Sequence, residues 1–265
     1  MRKTFDNRRF PCFAHTLNLI TEAATSIDAV KAPICKVREI VKYIKNSVKV
    51  CDALRRIQSN DNIVEGNKKK VILDVKTRWN STFYMVERFL ELRKTLVDLL
   101  LDDCNSPVMP SSAEIEILRQ LIQLLKPFEF MTRELSGEKY VTLSKIIPMI
   151  NYLNSQINSF ESDVAEIKSV REGFSREIKK RFGQIEHISQ IAIATILDPR
   201  FKNIHFQDSA ACAKALSKIR NVMERSDGTK KVDASVDTQI HHKSHEKPYD
   251  FWEHHKLLTI DTPNK

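Results

Sequence analysis

The sequence predicts a mainly α-helical protein, and three observations lead there. Glycine and proline are scarce, 5 and 9 in 265 residues, too few for the many tight turns of a β-rich or α/β fold. Apolar residues make up 42% of the chain and charged residues 29%, a balance that suits amphipathic helices packed on one another. Apolar side chains also recur at three- and four-residue intervals over most of the chain, the period of a helix with one buried stripe.

Taken in order, a basic, aromatic opening leads through Pro11 to a first helix with Leu17, Ile20, Ala24 and Ile27 on one face. Pro33 suits the first turn of a second helix, where a missing N–H costs nothing. Its stripe runs Val37, Ile40, Val41, Ile44, Val48, Cys51 and Leu54, opposite Lys36, Lys42, Lys45, Lys49, Arg55 and Arg56. Residues 59–70 are polar and read as a loop, and Val71 to Val75 as a short extended run. A strong helix follows from Ser81 to Leu101, capped by Asn80 or Ser81. Ser111 and Glu114 have capping-box spacing and start another helix, which Pro127 breaks or kinks and Ser136–Gly137 stops. Thr142 or Ser144 caps the next, with Pro148 in its first turn, and Ser162 to Phe182 forms one more. The apolar run Ile188 to Leu197 fits a buried helix better than a strand, and Asp198–Pro199 turns the chain. A last helix spans about Gln207 to Met223, and Arg225 to Pro248 is polar and expected to be mobile.

Lys+Arg exceed Asp+Glu by 43 to 34, a net charge of +9 that permits polyanion binding without specifying it. Five scattered cysteines, an odd number, point to a reducing compartment. No apolar run approaches the roughly 20 residues needed to cross a bilayer.

Few constellations carry chemistry. Cys12 and His15 are half of a zinc site, but no second pair has comparable spacing, so no metal site is assigned. A buried thiol with a hydrogen-bonded imidazole is the default for that pair. The histidines near the carboxyl end, including His241, His242, His245, His254 and His255, lie in a polar tail. Asp74 and Asp198 are candidate acids that no spacing singles out, and no phosphate loop or nucleophile motif is present. The stretch Thr77 to Thr82 stands apart. Arg78 offers a planar cation and Trp79 a flat π-face at a helix start, suited to stacking on a nucleobase beside a phosphate. Read alone, Trp79 is more readily a core anchor with Arg78 a solvated neighbour, because large aromatics are mostly buried.

Several blocks together resemble the hAT superfamily of DNA transposases and their domesticated relatives, the BED-type zinc-finger proteins. They are the Phe10–Ile20 segment with its Cys-x-x-His, Lys76–Thr82 followed by Met85–Arg88, the Pro127–Leu143 region, Leu197–Lys202 and, more weakly, Asp250–Trp252. They occur in family order over nearly the whole chain. The resemblance implies an all-helical insertion domain with a small remnant of a split RNase H-like α/β domain. It divides the chain into the remnant (residues 1–30), the helical insertion-type domain (31–224) and a polar tail (225–265). It also implies that Trp79, with Arg78 and Asn80 beside it, contacts DNA at a flipped base, with Cys12 and His15 near the family's active site.

The family's first two catalytic acids precede the Cys-x-x-His block, where this sequence has eleven residues, and its third lies beyond the region matched here. The expectation is therefore a nuclear, transposase-derived fragment that binds DNA without catalytic residues of its own. It needs no cofactor, a divalent metal belonging only with the family's acids. A helical protein-interaction module, through self-association or another transposase-like chain, is the alternative reading, and part of an active transposase a lesser one.

Overall fold

The structure, a computed structural model, describes residues 12–60, 63–75, 77–101, 103–136, 143–226 and 251–260. Among them are ten α-helices and no strand, the mainly α fold that the composition predicts. The chain gathers into two compact units, one of Met1–Thr132 with Ile157–Glu177, the other of Arg133–Gln156 with Ile178–Lys265.

In the first unit, α1 (Phe13–Thr25), α2 (Asp28–Lys45) and α3 (Val48–Asn60) surround α4 (Trp79–Leu100). Helix α2 begins five residues before the expected start. Val30, Pro33, Ile34 and Val37 are all buried, so the stripe that drives the helix already starts at Val30. Pro33 therefore sits inside the helix and gives no N–H to the carbonyl of Ala29, a local loss set against burial of its ring. The single long helix expected to continue through Leu54 is two. It stops at Asn46, and Val48 and Cys51, which belong to the predicted stripe, are exposed.

The rest of this unit comes from α5 (Ser112–Ser136), the end of α6 (Ile146–Ser159) and most of α7 (Ala165–Phe182). The predicted capping box forms. The Glu114 N–H donates to Ser111 Oγ at 3.2 Å, and the Ser111 N–H donates to Glu114 Oε2 at 2.8 Å. Pro127 does not break α5, which runs on to Ser136. Just after it, the ring of Phe128 packs 4.7 Å from that of Phe174 on α7, and both are fully buried. The expected stop at Gly137 and cap at Thr142 lie outside the described residues.

In the second unit, the apolar run becomes α8 (Ser189–Leu197), a helix as expected. Ile191, Ala192 and Thr195 are buried on it, and Thr195 Oγ1 donates to the Ser144 carbonyl at 3.2 Å. Asp208 caps α9 (Ser209–Ser226), its Oδ1 accepting the N–H groups of Ala210 at 2.8 Å and Ala211 at 3.2 Å. Glu186 is buried in the turn Ile185–His187 without an ion pair among the described residues. It accepts N–H groups from Gln207 and Asp208, and Asn151 Nδ2 donates to it as well.

The predicted polar tail needs correction. Residues 251–260 form α10 (Phe251–Ile260), whose Phe251 is buried against Tyr152 and Phe201 at ring distances of 5.7 and 6.2 Å. Two aromatics at the head of a short helix outweigh the polar composition around them. His254 and His255 belong to this packed helix, while His241, His242, His245 and the segment 227–250 lie outside the described residues.

Candidate nucleic-acid interface

The stretch from Asp74 to Thr82 is built by side chains that hold its backbone in place of a neighbouring strand. The extended run at Val71 to Val75 has no strand partner among the described residues. Instead, the Val75 N–H donates to Ser81 Oγ at 2.8 Å, and the Ser81 hydroxyl can donate back to the Val75 carbonyl at 2.9 Å or to that of Arg78 at 2.6 Å. This corrects the capping expectation. Helix α4 starts at Trp79, two residues ahead of the predicted Ser81, so Asn80 and Ser81 lie in its first turn. Arg78 holds the N-cap position with no side-chain cap of its own. The acceptor for the first helical N–H comes from another helix. Asn18 Oδ1 on α1 stands 3.5 Å from the Trp79 nitrogen, while Asn18 Nδ2 donates to Glu22 at 2.7 Å.

Below this turn, Asp74 is fixed from two sides. The guanidinium of Arg38 on α2 donates through Nε and Nη2, at 2.9 and 2.7 Å, and Thr82 Oγ1 donates at 2.9 Å. The Asp74 side chain is 1% exposed. Burial pushes its carboxyl up, but the hydrogen bonds from Arg38 and Thr82 outweigh that and hold it below the ordinary carboxylate value. Arg38, held by the same carboxylate, is raised. Asp74 is thus a structural anion that ties α2 to the start of α4.

The predicted site residues divide. Arg78 is exposed, and its guanidinium has no ion-pair partner among the described residues. Asn80 is half-buried. Trp79 is 8% exposed, with its ring edge-on to Phe83 and Phe128, each at 6.4 Å. In this conformation the indole does not present an open stacking face. It forms part of the wall of a cavity of about 250 Å³, together with Lys31, Arg38, Thr82, Phe83 and Leu125. Its Nε1 is buried with no hydrogen-bond partner. An unpaired buried N–H costs roughly 1–3 kcal/mol and is uncommon enough to call for a reason.

Cys12 and His15 do not form the buried thiol–imidazole pair taken as the default. Both are exposed, Cys12 at the N-cap of α1, where its carbonyl accepts the Thr16 N–H at 2.9 Å. Among the described residues no group of three His, Cys, Asp or Glu side chains could hold a metal ion. Asp198, the other candidate acid, is bound by Arg200 through Nε at 2.9 Å and Nη2 at 2.7 Å, and these contacts hold its carboxyl down to about 2. Each of these two acids is committed to an arginine. No described helix is long and apolar enough to cross a membrane.

Sequence reasoning assigned no role to Asn18 or Arg38, and gave Ser81 only a capping role. Asn18 carried one usable signal, a polar residue three positions after His15 and next to the apolar stripe. The Arg38–Asp74 pair spans 36 residues and leaves no local trace.

Residues 10–124, which include Asn18, Arg38, Asp74 and the start of α4, match the family described as the ZBED1 RNase-like helical domain. Zinc finger BED domain-containing protein 4 of Homo sapiens is 29% identical over 201 residues, covering 76% of this chain and 17% of that protein. A Zea mays protein carrying the name AC transposase is 27% identical over 196 residues, covering 73% of this chain and 24% of that protein. Zinc finger BED domain-containing protein 6 of Homo sapiens is 25% identical over 202 residues, covering 73% and 20%. The chain therefore spans a quarter or less of the length of these relatives. The helical fold and these matches support a transposase-derived chain, similar to the hAT transposases and the BED-type zinc-finger proteins.

Proposed function

We propose that this chain is part of a nuclear DNA-binding protein, that the start of α4 is its DNA contact, and that the residues present bind without cutting. The observation that carries the reading is a pairing at one helix start. Among the described residues Arg78 presents an exposed cation without an ion-pair partner, and next to it Trp79 lines a cavity with a buried N–H that has no acceptor. A phosphate would meet Arg78, and an unpaired base entering the cavity would supply the acceptor that the indole lacks. Trp79 then contributes through its edge and N–H more than through an open stacking face. Binding without cutting is supported by the two candidate acids, each committed to an arginine. In this reading residues 31–224 serve as the helical insertion-type body and residues 1–30 as the remnant of the RNase H-like domain. The nuclear placement rests on the names of the relatives, zinc finger and transposase.

The test is binding of hairpin DNA, followed by fluorescence anisotropy at about 50 and 200 mM salt, where counterion release makes affinity fall steeply. Arg78→Ala is expected to reduce the salt slope by about 1, the contribution of one phosphate. Trp79→Phe keeps a buried ring but removes the N–H and is expected to weaken hairpin binding several-fold more than duplex binding. No binding by the parent at low salt, or binding that responds to neither salt nor Arg78→Ala, overturns the reading.

A further inference from the structure

A second feature of the first unit is a cleft of about 410 Å³ between α3 and the segment that follows it. Five cations line it, Lys45, Arg55, Lys68, Lys69 and Lys70, with Cys51 at its wall. Two carboxylates oppose them. Glu65 is bridged between Arg55, at 3.0 Å, and Lys68, and Asp52 is the other. Lys69 also pairs with Glu91 from α4 at 3.0 Å, so five cations face three carboxylates and the cleft carries a surplus of two positive charges. Lys45 and Lys70 have no ion-pair partner among the described residues, and the same holds for Lys49 and Arg56 on the adjoining surface of α3.

The three consecutive lysines are held on a fixed backbone. Gln58, 2% exposed, closes a two-sided clamp on Lys69. Its Nε2 donates to the Lys69 carbonyl at 3.1 Å, and its Oε1 accepts the Lys69 N–H at 2.8 Å. The Lys70 carbonyl accepts Arg88 Nη1 from α4 at 2.9 Å. A buried amide and an arginine thus anchor a run of like charges against a basic helix, an arrangement whose repulsion is relieved by a polyanion.

We infer that this cleft binds the phosphate backbone of nucleic acid, as a second contact continuous with the start of α4. A string of lysines on one wall and a charged helix face on the other suits an extended polyanion better than a compact anion. No Gly-rich loop or aromatic platform accompanies it that would select a nucleotide or a base. The spacing fits as well. Eight residues separate Lys70 from Arg78, at most about 29 Å at 3.6 Å per residue. A backbone with a rise of about 3.4 Å per base pair covers that reach in about nine base pairs. The inference rests on the DNA-binding reading for the identity of the polyanion, but it places the contact on different residues.

The experiment uses the whole chain with a duplex of about 20 base pairs, the parent beside Lys45→Gln/Lys70→Gln and Arg78→Ala. The double variant is expected to lower the slope of log affinity on log salt by about 1.8, two phosphates at about 0.9 each. In parallel, maleimide labelling is read peptide by peptide. Bound duplex is expected to slow labelling of Cys51, exposed at the cleft, and to leave the equally exposed Cys104 unchanged. A parent that binds with an unaltered slope in the double variant and an unprotected Cys51 overturns this inference while leaving the Arg78 reading standing. Loss of slope in the double variant but not in Arg78→Ala has the reverse meaning. A parent that fails to bind duplex overturns the inference outright.

Discussion

His205 makes the stability of the second unit depend on pH. Its ring is 3% exposed and lies nearly parallel to the rings of Phe251 and His255, at 6.3 and 5.1 Å, with interplanar angles of 16° to both. Nε2 shares a hydrogen bond of 2.8 Å with His255 Nδ1, and Nδ1 is buried without a partner. Burial, and then the nearby His255 and His254, pull its pKa down from 6.5 to about 4. The imidazole is neutral in the folded unit, whereas the unfolded chain binds the proton near pH 6.5. Stability is therefore full above that pH and declines as pH falls towards 4. With these two values, linkage gives a loss of about 2 kcal/mol between pH 7 and pH 4.5.

Each unit holds one of the two tryptophans, Trp79 in the first and Trp252 in the second. A Trp79→Phe background therefore lets Trp252, stacked on Phe201 at 6.1 Å, report urea unfolding of the second unit alone. His205→Phe keeps an aromatic in the stack and removes the titration. The expected result is a urea midpoint that falls between pH 7 and 4.5 in the parent and much less in the variant. His255, also lowered by burial, supplies the smaller remainder. Asp198 acts in a separate window. Held near 2 by Arg200, it adds stability above about pH 4 that is lost only as pH falls towards 2. A parent and a His205→Phe variant with equal losses down to pH 4.5 would refute the assignment to His205.

Two further substitutions test what holds each unit together. Arg38→Ala leaves the buried Asp74 carboxylate without its cation and is expected to cost the first unit about 3 kcal/mol. Arg38→Met/Asp74→Leu, which removes both charges, should cost less; unfolding is followed at Trp79 with Trp252 replaced by Phe. Glu186→Gln keeps the shape but weakens the acceptor for the N–H groups of Gln207 and Asp208. A loss of about 1.5–3 kcal/mol is expected in the Trp252 signal, with no change at Trp79.

What the sequence made legible followed from period and short range. Helical spacing predicted α4, α5 and α7 to within a few residues, and the capping box at Ser111–Glu114 forms because both of its partners lie within one turn. The misplaced boundaries of α2 and α3 have a common cause. Proline and charge mark only where a helix can start, and burial decides where it does. Val30 extends α2 forward, and exposure of Val48 and Cys51 uncouples α3 from it. Helix α10 was hidden because its stabilising partners, Tyr152 and Phe201, lie 99 and 50 residues from Phe251. Of the interface, Arg78 and Trp79 were legible as residue types at a helix start. Which of them faces solvent was not, because the aromatic cage of Phe83 and Phe128 assembles only in the fold.

That division also accounts for an unfavourable local choice. Arg78 occupies an N-cap, where Ser, Thr, Asp or Asn would hydrogen-bond a free N–H and add about 1 kcal/mol. The helix makes up part of the deficit with an acceptor borrowed from Asn18 and with Ser81 clamping the approach, both outside the cap position itself. Trp79 adds a second local cost, a buried N–H with no acceptor. One such departure is ordinary in a stable helix. Two on adjacent residues, at the point where a cation is exposed and a cavity opens, form the pattern expected where a site has been kept at the expense of stability. The same reasoning separates this turn from the Arg38–Asp74 pair and Glu186, whose polar groups are satisfied internally.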